Sequence, residues 1–265
     1  MSDIILKNSP ETGILILTLN RPASMNSLNT KLVSAIKNEM DEAVFDKSIR
    51  VIIINGADPP EGKKASFSAG ADLVERRTMS DNDVKRFIAA IREAMISIEN
   101  APMPVIAAIN GFAFGGGLEI ALSADLRIAS TNAIMGLTET SLAVIPGGGG
   151  TQRLPRIVGL ARAKEMIYTA RRIDAQEAFN IGLVNRVVEP SGLMEACLSL
   201  AREIAANGPI AVKQAKFAIN CGTEIPLSMA LPIESLAYEQ TIPMKDRLEA
   251  LAAFAEKRKP EFKGE

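Results

Sequence analysis

A glycine-rich corner between a predicted strand and a predicted helix constrains this sequence more than any other feature. Residues 109–119 read Ile-Asn-Gly-Phe-Ala-Phe-Gly-Gly-Gly-Leu-Glu, a β-like run that ends in three glycines and opens a helix with an acid in its first turn. Because glycine has no Cβ, a ligand atom can approach the main chain here, at the positive end of the helix dipole. The corner therefore suits an oxyanion or a phosphate.

Neither well-known phosphate loop fits the same segment. Gly117-Leu118 stands where a Walker loop has Lys-Ser/Thr, and the dinucleotide pattern G-x-G-x-x-G does not occur in the sequence. An oxyanion hole is therefore favoured over a phosphate-binding loop. The alternative is a glycine-rich turn that is packed for steric reasons alone.

A second corner of small residues lies at residues 67–72, Phe-Ser-Ala-Gly-Ala-Asp. Two main-chain N–H groups from separate loops are the usual means of polarising a thioester or acyl carbonyl, and each donor typically contributes roughly 3 kcal/mol of transition-state stabilisation. Glu119 in the first corner and Glu139 in a later predicted turn add groups for proton transfer. Alternatively, Glu119 only complements the helix dipole, and Glu139 is a solvated turn residue.

The sequence contains no histidine, which excludes Ser-His-Asp and Cys-His catalytic arrangements and nearly every transition-metal site. Acid–base chemistry must then use Asp, Glu, Lys, Tyr or Cys. Cys197 and Cys221 are isolated on helical patterns and are interpreted as small hydrophobic residues. Tyr168 and Tyr238 are the only phenols, so carboxylates are the favoured catalytic groups, and no metal site is expected.

Charge and composition indicate an ordinary globular protein. The 265 residues are 47% hydrophobic, and 30 basic against 31 acidic residues give a formal net charge of −1. This balance provides no overall field to hold nucleic acid or an anionic membrane. No apolar run approaches the roughly 20 residues that span a bilayer, and no targeting segment is recognised near Met1, so we expect a cytoplasmic protein.

Strand and helix patterns alternate along the first two thirds of the sequence. Strands are predicted at residues 13–19, 51–54, 105–109, 126–129, 134–135 and 183–188. Asn29 is a predicted N-cap for a helix whose apolar face includes Val44, and a second helix carries apolar residues from Val84 to Ile98. Residues 146–152, Pro-Gly-Gly-Gly-Gly-Thr-Gln, are predicted to be a flexible approach to another helix, with Thr151 as its cap. From residue 193 onward only helices are predicted, which divides the chain into an α/β core (1–192) and a helical region (193–265).

Three motifs in this order resemble the enoyl-CoA hydratase (crotonase) superfamily: residues 67–73, residues 108–119, and Glu139 followed by residues 145–153. Asn20-Arg21-Pro22 and residues 254–258 also resemble that family. Within it, residues 71–76, 135–140 and 240–249 are most similar to methylglutaconyl-CoA hydratases. The resemblance implies an acyl-CoA substrate, with coenzyme A as part of the substrate and no separate cofactor.

The resemblance also implies residue roles. The N–H groups of Ala69 and Gly116 would bind the thioester oxygen. Gly70, Ala71 and Asp72 would belong to the same CoA-binding corner. Glu119 would take a proton from the water that attacks Cβ, and Glu139 would deliver a proton to Cα.

The implied fold is the family's spiral of ββα turns, whereas strand and helix order alone would suggest a doubly wound sheet. The helical region resembles a trimerisation region, which implies a homotrimer or a hexamer made of two trimers. Residues 227–240, with Leu231, Leu236 and Ala237, are expected to be buried between subunits.

Alternatives remain within and outside this interpretation. A general short-chain hydratase or a double-bond isomerase is the nearest, and an RNA-binding hydratase homologue is the most distant. Nucleic-acid binding is disfavoured because residues 29–50 mix lysines with acids and form no concentrated basic face. Ala23 stands where many hydratases have a lysine. Arg76, one helical turn after Asp72, is the candidate for binding a distal acyl carboxylate.

Overall fold

The computed structural model describes residues 3–223 and 225–265. Residues 1 and 2 of the predicted core and residue 224 of the predicted helical region lie outside the described residues. The strands are Ile5–Glu11 (β1), Ile14–Leu19 (β2), Val51–Gly56 (β3), Ser66–Ser68 (β4), Val105–Ile109 (β5), Phe112–Phe114 (β6), Leu126–Ser130 (β7), Ile134–Gly136 (β8), Ile173–Asp174 (β9) and Arg186–Val188 (β10). The helices are Thr30–Phe45 (α1), Leu73–Arg76 (α2), Asp81–Glu99 (α3), Gly116–Ser123 (α4), Gly150–Val158 (α5), Leu160–Thr169 (α6), Ala175–Asn180 (α7), Leu193–Ala205 (α8), Pro209–Gly222 (α9), Leu227–Glu239 (α10) and Lys245–Glu256 (α11).

The strands divide between two sheets in a repeating way. One sheet has the order β1-β2-β3-β5-β7-β10 and the other the order β4-β6-β8-β9. The chain enters the first sheet, crosses to the second and then forms a helix, three times in succession: β3-β4-α3, β5-β6-α4 and β7-β8-α5. This is the spiral of ββα turns that the resemblance implied, and it replaces the doubly wound sheet suggested by element order alone.

The six-stranded sheet is covered on both faces, which explains its continuously apolar strands. Alternate residues of β3 point to opposite faces: Ile52 and Ile54 pack with helices α1 and α3, whereas Val51 and Ile53 pack with α8. Successive residues of β5 likewise pack on opposite faces of the sheet. Helix α8 therefore belongs to the core, contrary to the boundary predicted between residues 192 and 193.

The helical caps and cysteines largely follow the sequence patterns. Asn29 caps α1, because its side chain accepts a hydrogen bond from the Leu32 N–H. Cys197 packs in the core on α8, where burial raises the pKa of its thiol to about 12, and Cys221 is a half-buried free thiol on α9. Both therefore fit the predicted structural role.

Three local predictions are wrong. Val44 is exposed, and Ala43 takes its place on the buried face of α1. Thr151 lies inside α5, which begins at Gly150 after Gly149 and has no side-chain cap. The last strand of the large sheet covers only Arg186–Val188, because the preceding backbone is engaged by Arg127: its guanidinium donates to the Leu183 carbonyl.

Helices α9, α10 and α11 extend beyond the two sheets. A partly buried ion pair anchors α9 to the core, since Lys216 Nζ lies 2.7 Å from Asp125 Oδ2 and 3.1 Å from the Met103 carbonyl. Among the described residues, no helix combines the length and the apolar character that crossing a membrane requires.

Candidate active site

A cleft of about 1380 Å³ contains both predicted corners and both predicted glutamates. Its lining includes Met25, Gly70, Ala71, Arg76, Ile88, Ile91, Arg92, Phe114, Gly115, Gly116, Glu119, Glu139, Leu142, Val144, Ile145, Gly147 and Gly148. A smaller cleft of about 510 Å³ lies between the β1–β2 hairpin and α1 and does not include either glutamate.

The first corner is the junction of β6 and α4. Gly115 has a φ of +50° and precedes the helix, whose first residue is Gly116. The first N–H groups of a helix have no intrahelical acceptor, and within residues 3–223 and 225–265 no other acceptor takes the Gly116 N–H. Every residue of α4 is buried, so this donor is held on a rigid element.

Close packing also requires these glycines. A Cβ on Gly117 would collide with the Ser68 carbonyl of β4, and one on Gly116 would lie 2.9 Å from Leu28 Cδ1. A Cβ on Gly115 would lie 2.9 Å from Glu139 Oε1. The steric interpretation of the glycine segment is therefore confirmed for these glycines, and the oxyanion hole stays a prediction for the Gly116 N–H.

The second corner follows β4, and its donor differs from the one that the resemblance implied. The Ala69 N–H donates to the Met25 carbonyl at 3.0 Å, so it is not available to a ligand. Leu28 forms a parallel bridge with Ala71: it donates to the Gly70 carbonyl at 2.8 Å and accepts from the Asp72 N–H at 2.9 Å. In this pattern the Ala71 N–H points away from Leu28, and no acceptor in the described part of the chain takes it.

Ala71 and Gly116 thus bring two N–H groups together. Gly70, in the second corner, packs directly against the first corner and has a φ of +86°. A Cβ at this position would lie 2.6 Å from the Phe114 carbonyl and 3.3 Å from the Gly116 nitrogen. A Cβ on Gly116 would lie 3.8 Å from the Ala71 nitrogen. Only glycine at position 70 allows the two corners to approach this closely.

Asp72 maintains the second corner through its carboxylate. It caps α2 by accepting from the Val74 and Glu75 N–H groups, and it pairs with the Arg21 guanidinium at 2.9 Å. Partial burial opposes ionisation, but Arg21 and the two N–H donors hold the pKa of Asp72 below its usual value. The predicted CoA-binding role of Asp72 is therefore indirect in this geometry, because its carboxylate is already bound within the protein.

Glu119 is 2% exposed and lies in the first turn of α4. Its Oε1 accepts from the Gly148 and Gly150 N–H groups, both at 2.8 Å, and no described residue donates to its Oε2. Burial raises the pKa of Glu119, while the two backbone donors oppose that shift. The residues predicted to be a flexible approach are therefore a fixed support for this carboxylate.

Glu139 begins a short 3-10 helix, Glu139–Leu142, on the other side of the cleft. Its Oε2 is buried without a hydrogen-bond partner among the described residues. Burial, followed by repulsion from Glu119, raises the pKa of Glu139 to about 7. Two nearby carboxylates in different environments are the arrangement that separates a general base from a general acid.

Arg76 is a further charged side chain at the cleft. It ends α2 and is half-buried, and its Nη1 is a buried donor that no described residue accepts. Arg92 on α3 also lines the cleft and acts electrostatically on Glu119. The structure therefore places Arg76 at the cleft, where the sequence suggested only its spacing from Asp72.

Comparison with known proteins identifies the family. A model of the enoyl-CoA hydratase/isomerase family matches residues 9–265. The chain belongs to this family. The match covers nearly the whole sequence, including both glycine corners and both glutamates.

Relatives and solved structures agree with this membership. YngF of Bacillus subtilis (strain 168) is 50% identical over 264 residues, which cover 100% of both chains. The mitochondrial methylglutaconyl-CoA hydratase of Homo sapiens is 49% identical over 257 residues, 96% of this chain and 74% of that protein. The crystal structure of an enoyl-CoA hydratase from Bacillus anthracis has a TM-score of 0.96 and 48% identity, covering 99% of this chain and 100% of that one. This family member has the crotonase fold.

Proposed function

We propose that this enzyme adds water across the α,β double bond of an enoyl-CoA thioester to give a 3-hydroxyacyl-CoA. The observation that carries the proposal is the pair of glutamates beside two main-chain N–H groups for which the described residues provide no acceptor. Burial raises the pKa of both glutamates, but two N–H groups stabilise the Glu119 carboxylate, whereas Glu139 Oε2 has no partner among the described residues. A base and an acid are thus available on one cleft.

The chemistry follows from these positions. The thioester oxygen accepts hydrogen bonds from the Ala71 and Gly116 N–H groups, which stabilise the negative charge that develops on it. Glu119 takes a proton from water as the water oxygen bonds to Cβ, and the π electrons move toward the thioester. Glu139 then gives its proton to Cα. A proton transfer from Glu119 to Glu139 through water restores the starting state of both glutamates. The net reaction therefore adds one water molecule to the double bond.

Replacement of either glutamate tests this mechanism. Glu119→Gln and Glu139→Gln should each lower kcat by roughly 10²- to 10⁴-fold, because each removes one positioned proton-transfer group. KM for crotonyl-CoA should change far less. The double variant should lose less than the product of the two single losses, since both groups act on one water.

Two results would overturn this proposal in different ways. If Glu139→Gln kept near-normal hydration of crotonyl-CoA, Glu119 would be the single acid–base group and Glu139 would not be the proton donor. If the wild type hydrated crotonyl-CoA only negligibly but moved the double bond of a 3-enoyl-CoA substrate, the double-bond isomerase would become the better assignment.

For the acyl group we propose methylglutaconyl-CoA or a similar enoyl-CoA with a distal carboxylate. Two observations support it: the buried Arg76 Nη1 at the cleft, which no residue in the described part of the chain accepts from, and the 49% identity to human methylglutaconyl-CoA hydratase. A guanidinium binds a carboxylate through charge-assisted hydrogen bonds. The unpartnered donor therefore gives such a substrate a binding partner.

Arg76→Ala should lower kcat/KM for methylglutaconyl-CoA by about 10- to 100-fold, because a hydrogen bond to a charged group contributes about 1.5–3 kcal/mol. Crotonyl-CoA, which has no carboxylate on its acyl chain, should be hydrated at nearly the same rate. Arg77→Ala is the matched control, since Arg77 is the exposed neighbour on the same segment. Equal losses for both substrates in Arg76→Ala would exclude a role in carboxylate recognition.

A further inference from the structure

The guanidinium of Arg153 joins the site to the far end of α3. Its Nε and Nη2 donate to the two carboxylate oxygens of Glu99, at 3.2 and 2.6 Å, and its Nη1 donates to the Gly148 carbonyl at 2.8 Å. Only 13% of the Arg153 side chain is exposed. A two-point contact of this kind fixes both the position and the plane of the guanidinium.

The Gly148 residue that Arg153 holds is also one of the two donors to Glu119. Its carbonyl accepts from Arg153, and its N–H donates to Glu119 Oε1 at 2.8 Å. The neighbouring Gly149 has a φ of +111°, and a Cβ there would collide with Arg153 Nη1. The glycine run is therefore folded around this guanidinium as well as around the Glu119 carboxylate.

We propose that Arg153, held by Glu99, is a positioning residue for Glu119. It fixes residues 147–150 so that the Gly148 and Gly150 N–H groups meet Oε1, which leaves Oε2 for the reacting water. The inference rests on the proposed hydratase function, in which Glu119 is the base. Arg153 itself lies outside the lining of the cleft and acts only through Glu119.

The charges around Glu119 determine in which direction its pKa changes when Arg153 is replaced. Arg153 on α5 and Arg92 on α3 favour the ionised form of Glu119, and Glu119 in turn raises the pKa of the neighbouring Glu139 by repulsion. Loss of the Arg153 charge, together with weaker N–H contacts, raises the pKa of Glu119. A smaller fraction of Glu119 is then ionised at any given pH, so the acid limb of the kcat profile moves to higher pH.

The experiment measures kcat, KM and the pH profile of kcat with crotonyl-CoA for Arg153→Gln, Arg153→Lys and Glu99→Gln. Arg153→Gln should lower kcat by about 10- to 100-fold, the size expected for a misplaced catalytic group, with KM within about threefold of the wild type. Its acid limb should move upward. Arg153→Lys should recover part of the loss, because lysine keeps the charge but loses the two-point contact. Arg162→Gln, an exposed arginine on α6, is the control.

A double variant separates positioning from general destabilisation. If Arg153 acts through Glu119, Arg153→Gln should cause little further loss of kcat in a Glu119→Gln background. An equal loss in both backgrounds, or an unchanged profile in Arg153→Gln alone, would overturn the positioning role. Near-normal kcat in Glu119→Gln would instead overturn the proposed mechanism, because Glu119 would not be the base. If Arg153→Gln does not fold, Glu99→Gln provides the same comparison with the guanidinium retained.

Discussion

Burial of the Glu139 carboxylate lowers the stability of the folded protein at neutral and higher pH. Its buried Oε2 has no partner among the described residues, and its pKa in the folded protein is about 7 against an ordinary value of 4.5. The folded state therefore binds a proton more tightly than the unfolded state. The free energy of unfolding falls as pH rises from about 4.5 to 7, and the stabilisation is lost above that range.

Glu139→Gln should remove this pH dependence, because its amide is neutral at every pH. We expect the variant to be more stable than the wild type by up to about 3 kcal/mol at pH 8, and by less than about 1 kcal/mol at pH 5. Urea unfolding at one protein concentration measures both differences. A gap that is the same at the two pH values would contradict the assigned pKa, and Glu203→Gln provides an exposed control.

The motif resemblance was sufficient to predict that Glu119, Glu139 and Gly116 lie together, and all three line the cleft. Their catalytic roles stay a prediction. The resemblance was not sufficient to choose between Ala69 and Ala71, because N–H groups two residues apart point to the same side of a regular extended run, and the positive φ of Gly70 between them breaks that regularity. The bridge from Leu28, a residue far away in sequence, decides which of them faces the cleft.

At the scale of the element, helix α4 depends on glycine for its approach to the small sheet. A Cβ on Gly117 would collide with the Ser68 carbonyl, and this carbonyl belongs to β4 and cannot rotate away. Gly117→Ala should therefore lower the free energy of unfolding by about 1–3 kcal/mol or more, as overpacking does in buried sites.

Gly192→Ala is the control for this prediction. A Cβ there meets nothing within 4 Å, and Gly192 has a φ of −96°, which any residue adopts. Chemical unfolding of both variants should separate them clearly. Equal stability of Gly117→Ala and the wild type would show that β4 moves readily, which would weaken the case for a rigid pair of donors.

The large sheet was more predictable than the small one. Its strands β2, β3 and β5 are long apolar runs that are covered on both faces, so composition alone reveals them. The small sheet uses strands of two or three residues, such as Phe112–Phe114, which are too short for a period-2 pattern to be distinguished. The sequence pattern predicted β8 at residues 134–135 and indicated a β-like run through β6, but it did not show that these strands form a separate sheet, because their pairing is set by tertiary contacts.

At the scale of the whole molecule, the C-terminal helices have two different surroundings. Helix α8 is packed into the core, whereas α10 and α11 expose large apolar side chains, among them Leu227, Met229, Leu231, Leu236, Leu248, Leu251 and Phe254. Ala237 differs from the prediction, because it is only 4% exposed within the single chain and needs no partner to be buried. The remaining apolar side chains form a surface of the kind that marks an association site.

We propose that this surface joins copies of the chain into a homotrimer or a hexamer. Leu231 and Leu236 on α10 are 51% and 59% exposed, so a charge at either position should leave the folded chain intact but disrupt association. Sedimentation at micromolar concentration should give an assembled wild type and a smaller species for Leu236→Glu. Leu6→Glu, a comparable change on β1, should remain assembled. A stable wild-type monomer under these conditions would contradict the proposal, and the exposed leucines would then need another explanation.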